Sequence, residues 1–362
     1  MTPLAEKLAA RIRAAGPITV ADYMAACLGD PEHGYYMRRE PFGRDGDFIT
    51  APEVSQMFGE LIGIWSLLAW EAMGRPAPFV LAELGPGRGT LMGDLLRAAR
   101  LRPAFAAAAR VHLVETSPRL RDIQAATLAA AGITPVWHGA IEDIPPGPMI
   151  AVANEFFDAL PIRQFVRTAE GWAERMVALD DAGALAFGLR PAPPPPGRST
   201  ADPVGTIAET SPVSTAIMER LAGRLAVEGG AALVIDYGYG DKGSADTLQA
   251  VRRHNYDDPL AFPGEADLTA HVDFGTLADA ARLAGAHPRP LLSQGAFLGR
   301  LGLPERASSL VRGKDDATRE GLERAVARLS SPQGMGELFK VLAVSQGGLA
   351  LAPFDGDDPQ KT

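Results

Sequence analysis

Val80-Leu-Ala-Glu83-Leu-Gly85-Pro-Gly87-Arg-Gly89-Thr-Leu91 is a short apolar run that breaks into a glycine-rich turn and then opens a helix. The run has the length of a buried strand. Glycine at three alternate positions lets the turn take positive φ, and lets the backbone approach a ligand with no Cβ in the way. The helix that follows presents unpaired N–H groups and the positive end of its dipole to whatever binds there. Strand, glycine turn and helix in that order begin a doubly wound, mostly parallel α/β sheet. A nucleotide-type cofactor is expected at the turn.

The spacing narrows the cofactor. Dinucleotide sites carry Gly-x-Gly-x-x-Gly, whereas Gly85, Gly87 and Gly89 are one residue tighter. Glu83 stands just before them. A carboxylate repels a pyrophosphate and attracts an ammonium. S-adenosylmethionine has an ammonium and no phosphate, so the stretch resembles the first motif of class I methyltransferases more than an NAD site. A tight βα turn with no ligand needs neither three glycines nor the acid.

Before this stretch the chain reads as helical. Leu4, Leu8 and Ile12 are at helical spacing, and Thr19 with Asp22 has the form of a capping box for a second helix. Gly43 to Phe48 is rich in turn residues, and Thr50-Ala-Pro52-Glu53 starts a helix expected to run to about Met73. A polar loop directly upstream of the cofactor strand is a connection or a lid, and the residues alone do not choose. After Val80 the rhythm is strand and helix by turns, which implies right-handed parallel crossovers. Residues 162–189 alternate as an antiparallel meander, Pro193 to Pro196 form a solvated loop, and residues 241–275 read as irregular and polar. Helices are expected near 212–227, 275–284 and 304–329, with a last strand at Leu338 to Val344 and an acidic, frayed tail from Pro353.

Ligands of such sheets bind beyond the carboxyl ends of the strands. Glu115 ends the second strand, where a carboxylate can accept from both ribose hydroxyls. Glu142 and Asp143 follow the third, where one can accept from an adenine amino group. Asn154-Glu155-Phe-Phe-Asp158 follows the fourth, which faces the methyl-bearing end of the cofactor. If the acceptor is a guanidinium, Glu155 and Asp158 can fix its plane by bidentate hydrogen bonds. Net charge is −9, which argues against a general nucleic-acid surface. The single cysteine, Cys27, excludes an intrachain disulfide and a cysteine metal cluster. His254, Asp267, His271 and Asp273 match no established metal spacing, so no metal is expected. No apolar run approaches the ~18 residues of a membrane span. No Gly-x-Ser-x-Gly elbow or phosphate-binding Gly-Lys-Ser/Thr loop is present, which disfavours a hydrolase triad and an NTPase.

Gly43-Arg-Asp-Gly46-Asp47-Phe-Ile-Thr50-Ala-Pro52-Glu-Val-Ser-Gln-Met-Phe-Gly-Glu60, Glu83-Leu-Gly-Pro-Gly-Arg-Gly-Thr90, Asn154-Glu-Phe-Phe-Asp-Ala-Leu-Pro161, Val234-Ile-Asp-Tyr-Gly238 and Gly264-Glu-Ala-Asp-Leu-Thr-Ala-His-Val-Asp-Phe274 together resemble the MidA family. That is the family of the mitochondrial complex I assembly factor regarded as a protein arginine methyltransferase. The resemblance covers roughly residues 17–348. It implies a class I methyltransferase (Rossmann-like) fold, an N-terminal helical extension and an inserted antiparallel meander. S-adenosyl-L-methionine is the implied cofactor, and the implied reaction is symmetric dimethylation of an arginine on a complex I core subunit. By the same resemblance Gly46, Asp47, Thr50 and Pro52 are pocket wall. Cofactor residues are then Glu83, Gly85, Gly87, Gly89, Glu115, Glu142, Asp143, Asn154, Gly46, Asp47, Thr50 and Pro52; catalytic residues are Glu155 and Asp158.

The expected division is a helical region and lid over 1–75, the methyltransferase domain over 76–161 and 204–348, the meander and proline-rich loop over 162–203, and a tail over 349–362. The expected partners are a protein substrate and a second copy of the chain, with no nucleic acid and no membrane insertion. Lacking an evident presequence, the chain looks like a bacterial, cytoplasmic member; the mitochondrial matrix is the eukaryotic equivalent. A small-molecule methyltransferase, an assembly chaperone with a vestigial pocket and an NAD enzyme are the competing readings.

Overall fold

The structure, a computed structural model, describes residues 2–38, 50–241, 243 and 246–354. The chain forms two compact units, and each gathers three separate stretches of sequence. One takes Met1–Phe48, Phe157–Ala216 and Tyr239–Asp273; the other takes Ile49–Phe156, Ile217–Gly238 and Phe274–Thr362.

The second unit holds the glycine turn. Its sheet places, side by side, Val136–His138, Ala109–Val114, Phe79–Leu84, Met149–Asn154, Gly230–Tyr239, Phe339–Ser345 and His287–Pro288. Numbered by chain order, these run 3-2-1-4-5-7-6. The first five are parallel, and Phe339–Ser345 enters antiparallel against Gly230–Tyr239. Order reverses between Phe79–Leu84 and Met149–Asn154, which makes their carboxyl ends the switch point where such sheets bind ligands. The strands are apolar on both faces because helices cover both: every residue of Phe79–Leu84 and Met149–Asn154 is buried. Two helices lead up to this sheet where one was expected. Ala51–Val54 stops at Ser55, whose φ of −164° is extended; the Ser55 hydroxyl then accepts from the Met57 N–H and starts Gln56–Ala72 afresh. The second of these lies close against Thr90–Ala99, since a Cβ on Gly63 would stand 2.6 Å from the Leu95 carbonyl oxygen.

The first unit is built on the expected helices. Pro3–Ala15 buries Leu4, Leu8 and Ile12, and Val20–Gly29 begins with the Thr19/Asp22 capping box. Both pack with Tyr35, Ile162, Val177, Ala250 and Leu268 into one apolar core. The meander is antiparallel as read: Arg163–Thr168, Gly171–Leu179 and Leu185–Pro191, joined by Ile207–Thr210 and by Ile18–Thr19. Residues 162–203 all lie within this unit. The span 241–275, expected to be irregular, instead contains a three-stranded sheet of Gln249–Arg252, Asn255–Asp257 and Asp267–Thr269. Among the described residues, no helix is long and apolar enough to cross a membrane.

Candidate active site

Parallel pairing brings the strand ends of the second unit into one row. Gly85 N–H donates to Val114 O (3.1 Å), Glu115 N–H to His138 O (3.0 Å), and Glu155 N–H to Ile235 O (2.9 Å). Gly85, Gly87 and Gly89 have φ of +64°, +52° and +80°, a run of left-handed backbone that L side chains adopt only under strain. A Cβ on Gly85 would stand 2.8 Å from Phe156 Cδ2. The turn therefore has no room for a side chain toward the loop that follows the fourth strand.

Glu83 and Glu115 are both buried but differ in their surroundings. Among the described residues Glu83 Oε2 has no hydrogen-bond partner, and burial pushes its carboxyl up to about 8, only partly offset by the Met92 main chain. Glu115 is better furnished: Oε1 accepts from Ser117 N–H (2.7 Å) and Oε2 from Gln124 Nε2 (3.2 Å). Its pKa is still raised by burial, with those bonds pulling the other way. Gln124, fully buried, also donates through Nε2 to Gly87 O (2.8 Å) and accepts through Oε1 from Trp137 Nε1 (2.8 Å). One amide thus ties the glycine turn to the carboxylate that ends the second strand. Arg121 supports the same corner by donating to the main-chain carbonyls of Glu115 and His138.

After the fourth strand the backbone turns sharply at Glu155, whose φ is +50°. Its Oε1 accepts from Ala51 N–H (3.0 Å) and from Asn154 Nδ2 (3.0 Å), while the buried Asn154 Oδ1 has no partner among the described residues. Asp236, wholly buried at the end of the fifth strand, accepts from Phe156 N–H through Oδ2 (3.2 Å) and from Tyr237 N–H through Oδ1 (3.0 Å). Helix Ala51–Val54 is held at its other end too, since Thr90 Oγ1 donates to Glu53 Oε1 (2.6 Å). This brings the Thr50-Ala-Pro52-Glu53 segment to both Glu155 and the first residue after the glycine turn.

The other expected residues are placed less tightly. Glu142 is exposed and paired with Arg220 at 2.5 Å, and Asp143 is exposed with Oδ2 accepting from Ala140 N–H (3.1 Å). Asp158 is buried in the first unit, where its main-chain carbonyl accepts from Ala270 N–H (3.0 Å). In the same unit Tyr36 donates its hydroxyl to Asp267 Oδ1 (3.0 Å). Burial, with the charges of Asp267 and Asp158, holds that phenol well above its usual range. Gly46 and Asp47 lie outside the described residues. A surface cleft of about 670 Å³, lined by Thr90, Arg97, Arg100 and Arg110, contains none of the expected residues.

An ammonium-bearing nucleoside fits the row. Glu83 supplies a buried carboxylate oxygen that lacks a partner among the described residues, the three glycines leave a cradle without Cβ atoms, and Glu115 keeps lone pairs for hydroxyl donors. Four residues of the row were not singled out from sequence: Gln124, Arg121, Asp236 and Glu53. Asp236 sits within the Val234–Gly238 motif and Glu53 within the Gly43–Glu60 motif; Gln124 and Arg121 carry no motif signal.

Comparison with known proteins agrees with this geometry. Residues 61–291 match a family model described as "Putative S-adenosyl-L-methionine-dependent methyltransferase". The mitochondrial protein arginine methyltransferase NDUFAF7 of Homo sapiens is 39% identical over 95% of this chain and 83% of its own length. Its counterpart in Danio rerio is 38% identical over 93% of this chain and 85% of its own. A crystal structure from Burkholderia thailandensis, bound to S-adenosyl-homocysteine, superposes with a TM-score of 0.82 at 31% identity, over 98% of this chain and 92% of that one.

Proposed function

Because the chain belongs to the MidA family of S-adenosyl-L-methionine-dependent methyltransferases, we propose that it methylates an arginine side chain of a protein substrate. It is an enzyme, and S-adenosyl-L-methionine is its cofactor. When bound, that cofactor supplies an electrophilic methyl group on a sulfonium. Glu83 and the turn Gly85–Gly89 would hold its aminoacid end, Glu115 its ribose, and Glu142 or Asp143 its adenine. Asn154, Thr50 and Pro52 complete the wall, with Gly46 and Asp47 assigned to it by family resemblance.

Glu155 is the residue on which the acceptor side turns. It stands at the switch point next to the glycine turn, on backbone with φ +50°, which a non-glycine residue keeps only under constraint. Its carboxylate accepts a guanidinium by paired, charge-assisted hydrogen bonds and fixes the plane of the attacking nitrogen. It also draws positive charge away from that nitrogen, while orientation itself supplies much of the rate. Asp158 is the second carboxylate of this reading. The names of the relatives, protein arginine methyltransferases, support arginine as the acceptor.

The test is Glu155→Gln. The amide oxygen can still accept from Ala51 N–H and preserve helix Ala51–Val54, so the fold and S-adenosylhomocysteine affinity should stay near wild type. Methyl transfer should fall by at least about 100-fold, roughly the loss of one charge stabiliser. A variant that methylates at the wild-type rate removes Glu155 from the chemistry. A complex I core subunit is the acceptor protein of this reading, a homodimer its assembly and the bacterial cytoplasm its setting. Mass spectrometry of core-subunit arginines from cells with and without the protein tests the acceptor; unchanged methylation would exclude it.

A further inference from the structure

We propose that two copies of this chain join edge to edge along the strand Leu185–Pro191. The inference rests on the homodimer reading and gives that homodimer an interface.

The strand is an edge. It pairs along one side with Gly171–Leu179, with Leu179 opposite Leu185, Val177 opposite Phe187 and Arg175 opposite Leu189. Among the described residues no strand pairs with its other side. The phase of this ladder follows from its two ends: Asp180 N–H donates to Ala184 O (2.9 Å) and Ala192 N–H to Trp172 O (2.9 Å). In an antiparallel ladder bonded pairs alternate with unbonded ones. The even-numbered residues of the strand therefore bond inward. Leu185, Phe187 and Leu189 turn their N–H and C=O groups outward, where among the described residues no strand bonds them.

The same three residues carry the apolar side chains. Alternation puts them on one face; Phe187 is 40% exposed and Leu189 54%, while Leu185 is half-buried against the core of its unit. Natural edges are usually blunted by an inward charge, a bulge or a proline. From Leu185 to Leu189 this one has none of these. Arg190 is paired with Glu174 at 2.7 Å, and the Arg175 guanidinium of the neighbouring strand stands over the Phe187 ring, 5.2 Å from its centroid.

What favours a second copy as the occupant is the order of residues. Leu185-Ala-Phe187-Gly-Leu189 has the same size pattern read in either direction about Phe187. An isologous contact demands a patch that complements itself under a two-fold axis. With the axis at Phe187, antiparallel pairing sets Phe187 against Phe187 and Leu185 against Leu189 on one face. The small Ala186 and Gly188 meet on the other. Each facing pair is also a bonded pair, because these are the residues whose main-chain groups point outward. A foreign strand would satisfy the same hydrogen bonds but would gain nothing from the symmetry.

The test uses the full chain. Sedimentation should show a concentration-dependent dimer, since an edge of this length is small beside a standard interface. Phe187→Asp sets two carboxylates against each other at the axis and should leave a monomer with unchanged circular dichroism, whose unfolding temperature no longer depends on protein concentration. Phe187→Cys should cross-link under mild oxidation, because facing Cα atoms in a bonded pair are about 5.5 Å apart and a disulfide spans about 4.4–6.8 Å. The native Cys27 is wholly buried, so the wild type should not cross-link. A wild type that stays monomeric at every concentration overturns the homodimer and this interface together. A dimer that survives Phe187→Asp, or a Phe187→Cys dimer that never cross-links, overturns the interface alone. A monomer whose acceptor methylation falls on Phe187→Asp assigns the edge to a foreign strand, which also overturns the proposal.

Discussion

Single residues decide how the cofactor end of this site behaves with pH. Burial lifts Glu83 from an ordinary 4.5 to about 8, so the folded protein holds a proton there that the unfolded chain has already lost. Ligand-free stability should therefore fall as pH rises from about 4.5 to about 8 and level off above, and Glu83→Gln should flatten that slope in urea titrations. An ammonium placed beside Glu83 favours its ionised form. Binding of S-adenosylhomocysteine at neutral pH should then release a proton, visible by calorimetry in buffers of different ionisation enthalpy. The release should vanish above about pH 9 and in Glu83→Gln; undiminished release in that variant would place the titrating group elsewhere. Gln124→Leu strands Gly87 O, one Glu115 oxygen and the Trp137 N–H at about 1–3 kcal/mol each. It should lower stability by on the order of 3 kcal/mol and weaken S-adenosylhomocysteine roughly ten-fold. Glu83 and Glu115 could be singled out because each is an acid closing an apolar strand, the place where a parallel sheet binds ligands. Gln124 was not legible: it is an ordinary glutamine inside an ordinary helix, and only the folding of Pro118–Ala130 onto the turn gives it three partners.

At the level of elements, the glycine turn and the loop after the fourth strand act as one piece. Gly85→Ala forces both a positive φ and a contact of 2.8 Å with Phe156. Gly132, with φ +75° and nothing within 4 Å of an added Cβ, provides the comparison. Gly132→Ala should cost about 1–2 kcal/mol and leave cofactor binding alone. Gly85→Ala should cost more and weaken S-adenosylhomocysteine by over about ten-fold, as read by thermal unfolding and titration. Equal effects of the two would mean that Phe156 does not matter to the turn. Elements with a strong local signal were readable: the capping box at Thr19, the helix Phe274–Leu283, the last strand at Phe339–Ser345. The hairpin at 249–257 was not. Its two-residue turn is Arg253-His254, with φ of +52° and +63°, and neither residue announces a tight turn as Asn-Gly would. Nor was the break at Ser55 readable, since the same serine that ends one helix caps the next. The helical pattern expected over 304–329 likewise divides into Leu303–Val311 and Asp316–Ser330.

For the whole molecule, the governing fact is that neither unit is continuous in sequence. The parallel sheet could be anticipated from the strand–helix rhythm, but the grouping of 157–216 with 239–273 rests on contacts far apart in the chain, which local patterns do not carry. One expectation follows for fragments. Residues 49–156 contain the glycine turn and four parallel strands, yet lack Gly230–Tyr239, which pairs with Met149–Asn154 residue by residue from Gly230 to Ile235. Expressed alone, this fragment should aggregate and bind no S-adenosylhomocysteine; a soluble, binding-competent fragment in light scattering and titration would show that the fifth strand is dispensable. The same pairing sets a clock on synthesis. Gly230 follows Asn154 by 76 residues (230 − 154). At about 5–20 residues per second, a ribosome takes on the order of 4–15 s to deliver it. For that interval Met-Ile-Ala-Val-Ala is a finished, fully apolar strand with one side open, and the nascent chain's exposure to wrong partners is set by how fast the intervening codons are read.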